Sequence, residues 1–325
     1  MVRIFLHIYN LAMQAKGRDI IELFGFSPDD TSVQALKTWK QKSCPFVSFP
    51  CTKTNHDQTA VYGTCSVSCG ASHEDGSEII ICPKRLYADQ YKIFNHVLKD
   101  AWPKGDKALI LGGSPKELQT KALSTPRPVV AFGQGSGKEI QINANGNMSM
   151  DWVLQSYTKK GDALIPEDFI GMEIQSIDIT GNYRATWNAY RKIKEGETVA
   201  DIPNSGHGLN WANVHKRLIP QIIRKGNIYR RMERCIGFYF LLPDAVYKKF
   251  EEVIGDIKKA DGPSRTNLSV LTFKLGAPVS QGKQRELVLV RRVHYPLAEI
   301  AAAFIGNSTA NAPDKLDETL RSLLD

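Results

Sequence analysis

Apolar and polar positions change their period along the chain, and each period predicts a kind of element. Residues 184–194 and 214–234 carry recurring apolar positions among charged ones, the pattern of amphipathic helices. Residues 108–111, 129–132 and 236–242 are short apolar runs, as expected of buried strands. Residues 139–143 and 148–154 alternate polar with apolar around the turn-forming Ala144-Asn145-Gly146-Asn147. Further strands are expected at 170–179, 267–275 and 286–294, and helices near Leu297 and Lys315. Strands alternating with helices from residue 103 onward predict a mixed α/β domain.

The first 102 residues read differently. Residues 15–24 and 87–102 look helical and 39–70 loop-rich, while the stretch from Cys44 to Cys82 holds few long aliphatic residues. Such a stretch cannot bury a core of its own and calls for a staple. The opening Met1-Val2-Arg3-Ile4-Phe5-Leu6 loosely imitates an export signal, but His7 and Asn10 interrupt it, and it reads as a helix of the mature protein. The chain therefore divides into an N-terminal region, 1–102, and a larger domain, 103–325.

Composition alters this picture in one respect. Hydrophobic residues at 42% and charged residues at 23% describe an ordinary folded protein. No apolar run approaches the ~18 residues a membrane span needs, and a cytoplasmic protein is expected. Lys and Arg number 42 against 34 Asp and Glu, a formal charge of +8. From Arg184 to Arg234 there are eleven basic residues against four acidic, so nearly all of the excess lies there. Aromatic and amide residues interleave with them, including Tyr183, Trp187, Asn210, Trp211 and Asn213. A solvated helix face would look similar, but the concentration favours a phosphate-bearing partner such as DNA.

Five of the six cysteines fall between Cys44 and Cys82. The spacing Cys44-x6-Cys51-x13-Cys65-x16-Cys82 lacks the CxxC of a zinc ribbon, yet clustered thiols in a reducing compartment suit a tetrahedral soft metal. Cys69 is a fifth candidate, His56 and His73 could substitute for one thiol, and buried structural thiols are the plain alternative. Cys235, beside an apolar strand, reads as core.

Phosphodiester hydrolysis needs carboxylates that hold a divalent ion. Asp151 followed by Glu173-Ile174-Gln175 offers an acid at a strand and an acid-x-polar triplet whose ends share one face. A wet strand face would carry the same triplet, and Asp178 competes as the second acid. The run Phe132-Gly133-Gln134-Gly135-Ser136-Gly137 lacks the Lys-Ser/Thr and following helix of a phosphate loop, which disfavours a nucleotide enzyme.

Taken together, these stretches resemble the NotI-type restriction endonucleases, most closely their EagI-like members. The likeness is carried by Phe24-Gly25-Phe26-Ser27-Pro28-Asp29-Asp30, Ser43-Cys44-Pro45-Phe46, Gly63-Thr64-Cys65 and Ile81-Cys82-Pro83-Lys84-Arg85-Leu86. It continues through Met150-Asp151-Trp152, Glu173-Ile174-Gln175, Gly181-Asn182-Tyr183 and Ala212-Asn213-Val214-His215-Lys216-Arg217. It runs from about Phe24 to the strand at Glu286, in order.

The resemblance implies a PD-(D/E)XK nuclease core, a mixed central sheet flanked by helices, with a small N-terminal four-cysteine metal-binding module. It implies a type II enzyme that acts as a homodimer on a GC-rich palindrome containing GGCC, with CGGCCG suggested, and leaves 5′-phosphates. A cognate methyltransferase would protect host DNA without needing to bind the enzyme. Asp151 and Glu173 would hold Mg2+, with the Ile174 carbonyl as a further ligand. Gln175 would stand where most relatives of the fold have lysine and orient the attacking water. Cys44, Cys51, Cys65 and Cys82 would hold a structural iron, or zinc on chemical grounds, leaving Cys69 out. Glu139 could add a carboxylate to the cleft. Arg184, Asn210, Asn213, Lys216, Arg217 and Arg224 are the candidate DNA contacts. The competing class is a DNA-binding protein without catalysis, in which the acids are surface groups.

Overall fold

The computed structural model describes residues 19–47, 49–55, 57–68, 78–133, 140–143, 147–307 and 320–322. The expected N-terminal helix, residues 15–18, His56, Cys69, His73, Glu139 and most of the helix near Lys315 lie outside them.

The N-terminal part contributes β1 (Ile20–Leu23), α1 (Val33–Gln41), β2 (Thr64–Ser68), β3 (Glu78–Ile80) and α2 (Phe94–Ala101). Next come β4 (Ala108–Ile110), α3 (Pro115–Ser124), β5 (Pro128–Gly133), the hairpin β6 (Ile140–Asn143) and β7 (Asn147–Met150), β8 (Trp152–Lys160) and β9 (Ala163–Ile174). The chain continues through β10 (Ile179–Thr180), α4 (Arg184–Lys194), β11 (Gly208–Leu209) and α5 (Ile219–Tyr229). It ends with β12 (Cys235–Pro243), α6 (Asp244–Ile254), β13 (Asn267–Leu275), β14 (Leu287–Pro296) and α7 (Leu297–Asn307).

Seven strands form one mixed sheet in the order β14-β13-β12-β9-β8-β5-β4. Strand β12 runs parallel to both β9 and β13, whereas β8 is antiparallel to β9 and β5. The centre of β12 is buried without interruption, because helices cover both faces of the sheet. Phe238, Phe240 and Leu242 meet Ile222 of α5, Phe250 of α6 and Ile300 of α7. The alternate residues Tyr239 and Leu241 meet Phe94 and Val97 of α2 together with Trp152 and Met172. The period of two thus splits one apolar run between two half-cores.

The N-terminal segment enters the same core. Ile80, Cys44 and Cys65 share a cluster with Trp152 and Leu271. The fully buried Arg85 guanidinium pairs with Glu22 at 2.8 Å and donates to the Arg285 carbonyl at 2.6 Å, tying residues far apart in sequence.

Three sequence expectations are corrected. Residues 20–23 form a strand, not a helix, because Ile20 and Leu23 are buried on pairing with β2. The strand expected at 170–179 spans Ala163–Ile174, and a separate two-residue strand, β10, pairs with β11. The helix expected at 214–234 opens with a π-turn over Val214–Leu218 and its α-helical part ends at Tyr229. Pro220 has no N–H to continue the ladder, and the Ile219 N–H reaches back to the Val214 carbonyl.

Candidate active site

Strand register creates the site. Trp152 of β8 lies opposite Met172 of β9, so the antiparallel pairing sets Asp151 opposite Glu173. Asp151 Oδ2 accepts the Ile174 N–H at 3.0 Å, and Glu173 Oε1 accepts the Asp151 N–H at 3.3 Å. Gly133, with φ at +140°, ends β5 beneath them. A Cβ there would lie 2.0 Å from the Asp151 carbonyl oxygen, so only glycine admits this approach.

A cleft of about 340 Å³ opens above the acids. Gln175 follows Glu173 along the chain, Met148 and Ser149 come from β7, and Gln221, Arg224 and Lys225 come from α5. The last three share one helix face by their spacing. The cleft therefore sits at the carboxyl end of β9, where it meets the start of β8.

Its electrostatics are unusual. Glu173 is 3% exposed, and burial, with the Asp151 carboxylate adding to it, pushes its carboxyl up to about 8. The Lys225 ammonium forms an ion pair with Glu173 and pulls the other way without prevailing. Two neighbouring carboxylates beside open volume suit a hard divalent cation that keeps several waters.

The model of the restriction endonuclease NotI family matches residues 34–275. The chain belongs to the NotI restriction endonuclease family. It is a type II site-specific deoxyribonuclease, and double-stranded DNA is its partner. No curated protein sequence matches it.

In this NotI-family endonuclease the basic candidates gather around the β10–β11 ribbon and α5. Asn210 donates its N–H to the Asp178 carbonyl at 2.8 Å, and Asn213 Nδ2 donates to Asp178 Oδ2 at 3.0 Å. Arg217 faces the same carboxylate at 3.6 Å. Asp178 thus braces the π-turn and is not among the residues that line the cleft. Lys216 and Arg217 are exposed on that turn, and Arg184 is exposed at the start of α4. Arg224 stands at the rim of the cleft itself.

Sequence reading missed Lys225 while naming its neighbour Arg224. Nothing in the local pattern separates the two; the rotation of α5 against β9 buries one and exposes the other. Tyr229 was legible only as one aromatic of the basic stretch; its hydroxyl is buried, has no hydrogen-bond partner among the described residues and lies within the field of Glu173.

The cysteines of the endonuclease are all reduced among the described residues, with Cys44, Cys65 and Cys82 buried and Cys51 half-buried. Cys51 and Cys65 each feel the charges of Cys44 and Cys82, and burial raises the thiols of Cys51, Cys65 and Cys82. Among the described residues no group of three or more His, Cys, Asp or Glu side chains stands in a metal-holding arrangement. Among them, too, no helix is long and apolar enough to cross a membrane.

Proposed function

We propose that this endonuclease is a homodimeric PD-(D/E)XK enzyme that cuts a GC-rich palindrome, in the manner of CGGCCG, with Mg2+ at Asp151 and Glu173. The observation that carries this is the pair of carboxylates set side by side by the β8–β9 register at a cleft rimmed with cations. When bound there, Mg2+ supplies charge neutralisation at the scissile phosphate and a more acidic water.

The remaining chemistry belongs to the chain. Gln175 cannot take a proton as a base; its amide orients the attacking water. Arg224 at the rim and Lys216 and Arg217 on the π-turn neutralise flanking phosphates. Arg184, Asn210 and Asn213 supply the donor types that read guanine and adenine edges in the major groove. Cleavage of the bond to the 3′-oxygen leaves the 5′-phosphate. Two copies related by a two-fold axis match a palindrome and cut one strand each.

Residues 1–102 act as the module that carries Cys44, Cys51, Cys65 and Cys82, and residues 103–325 as the nuclease. What supports a structural iron or zinc is the donor set: Cys51 and Cys65 lie within the field of Cys44 and Cys82, and a soft cation would deprotonate the four thiols and draw them into a tetrahedron that they do not form by themselves.

The test is digestion of unmethylated phage DNA with and without Mg2+, beside Glu173→Ala. Discrete bands that need both Mg2+ and Glu173, with ends mapping to one GC-rich palindrome, are expected. DNA that is retarded on a gel but stays whole under every condition would defeat the reading.

A further inference from the structure

Resting on the metal site proposed above, we propose that Lys225 is a catalytic cation of the cleft. It holds Glu173 while the site is metal-free and passes to the scissile phosphate when a divalent ion takes that carboxylate. The geometry is specific. The Lys225 ammonium is ion-paired with Glu173 Oε2, and the two residues are 7% and 3% exposed. A buried ammonium is tolerated only with negative charge beside it, here that of the neighbouring Asp151 and Glu173 carboxyls taken together. Its neighbour Arg224, one position earlier on α5, is exposed instead.

Gln175 brings no charge to the floor of the cleft, so Lys225 and Arg224 are the cations among the lining residues. Asp151 and Glu173 would hold a divalent ion, whose charge would leave the Lys225 ammonium without its carboxylate partner. The four-carbon stem then lets Nζ swing within the cleft while Cα stays fixed. The anion a bound substrate offers there is the phosphate being cut. Helix α5 is held firmly enough to aim such a swing: Tyr229 packs onto Gly171 of β9, and Gly226 packs onto Leu297 of α7.

This arrangement gives Lys225 two effects of opposite sign. It weakens metal binding in the absence of DNA, and it speeds cutting in its presence. Lys225→Met should bind Mn2+ at least ~10-fold more tightly in DNA-free calorimetry, since the variant removes a positive charge that repels the incoming cation. Under single-turnover conditions with saturating Mg2+ the same variant should cut ~100-fold more slowly or worse, the usual cost of losing one charge stabiliser. Lys225→Arg, which keeps the charge, should retain most of the cutting rate.

A merely structural lysine would not tighten Mn2+ while slowing cutting. Mn2+ affinity that is unchanged or weaker in Lys225→Met overturns the proposal, as does a cutting rate close to the native one. Should Lys225→Met not fold, as judged by its thermal melt, Lys225→Gln is read by the same criteria. Glu173→Ala, run in parallel, separates the two levels. If it still cuts, the metal site is misassigned; if it is dead while Lys225→Met cuts normally, only the role of Lys225 fails.

Discussion

At Glu173 three charges meet in little water, and their balance has a measurable consequence. Burial and Asp151 hold its carboxyl near 8 in the folded chain, against an ordinary value of 4.5. Below the lower value both folded and unfolded chains carry the proton. As pH rises toward 8 the unfolded chain releases it while the folded one keeps it, so the metal-free protein loses stability across that window. Urea unfolding in EDTA should therefore show a larger drop from pH 5 to pH 8.5 for the native chain than for Glu173→Gln, which has no proton to release. Arg217 provides a second test. Its pair with Asp178 spans 3.6 Å between two exposed side chains, a geometry worth about 0–1 kcal/mol. Arg217→Ala should leave the melting temperature nearly unchanged and lower the slope of log affinity for DNA against log salt by about 1, as loss of one phosphate contact does.

Among the elements, α5 and β9 decide whether the cleft exists. A Cβ on Gly171 would lie 2.0 Å from Tyr229 Cζ and 2.4 Å from its hydroxyl oxygen. Gly171→Ala should cost about 1–3 kcal/mol, as overpacking does. It should also slow cutting, because α5 must back away from β9 and carry Gln221, Arg224 and Lys225 with it. Denaturant melts and single-turnover rates check the two effects. The legibility of the elements varied for identifiable reasons. Helix α4 spans the residues its pattern predicts, and β13 likewise, since each has a clean period. Helices α1, α3 and α6 went unread. In α3 a signal was present: Ser114 caps the helix, Pro115 opens it and Glu117 completes the capping box. In β1, by contrast, no local signal could have overruled the helical reading, because pairing with β2 alone selects the strand.

For the molecule as a whole, the N-terminal segment and the sheet share apolar clusters, and the buried Arg85 ties the segment to the later chain by donating to the Arg285 carbonyl. A structural metal there would stabilise the entire fold. Purified protein should carry about one iron or zinc ion per chain by elemental analysis, as a four-thiolate site does. Stripping it with a strong chelator should lower the melting temperature, and restoring Mg2+ alone should not recover it. If the stripped protein melts like the native one, the thiols are core residues and nothing more.

The chain's own pattern determined the class of fold and the chemistry it could carry. Period and apolar runs specified the sheet strands, the concentration of charge pointed to DNA, and Asp151, Glu173 and Gln175 became a candidate set once the family resemblance was read. Only the tertiary structure decided which residues meet at the cleft. The β8–β9 register set Asp151 against Glu173, the β10–β11 ribbon drew Asp178 away to Asn213 and Arg217, and the rotation of α5 buried Lys225 against Glu173. Local sequence encodes the preference of a segment for its period. The partner across 52 positions of chain, as for Lys225 and Glu173, is chosen by packing, and burial then sets the strength of their charges.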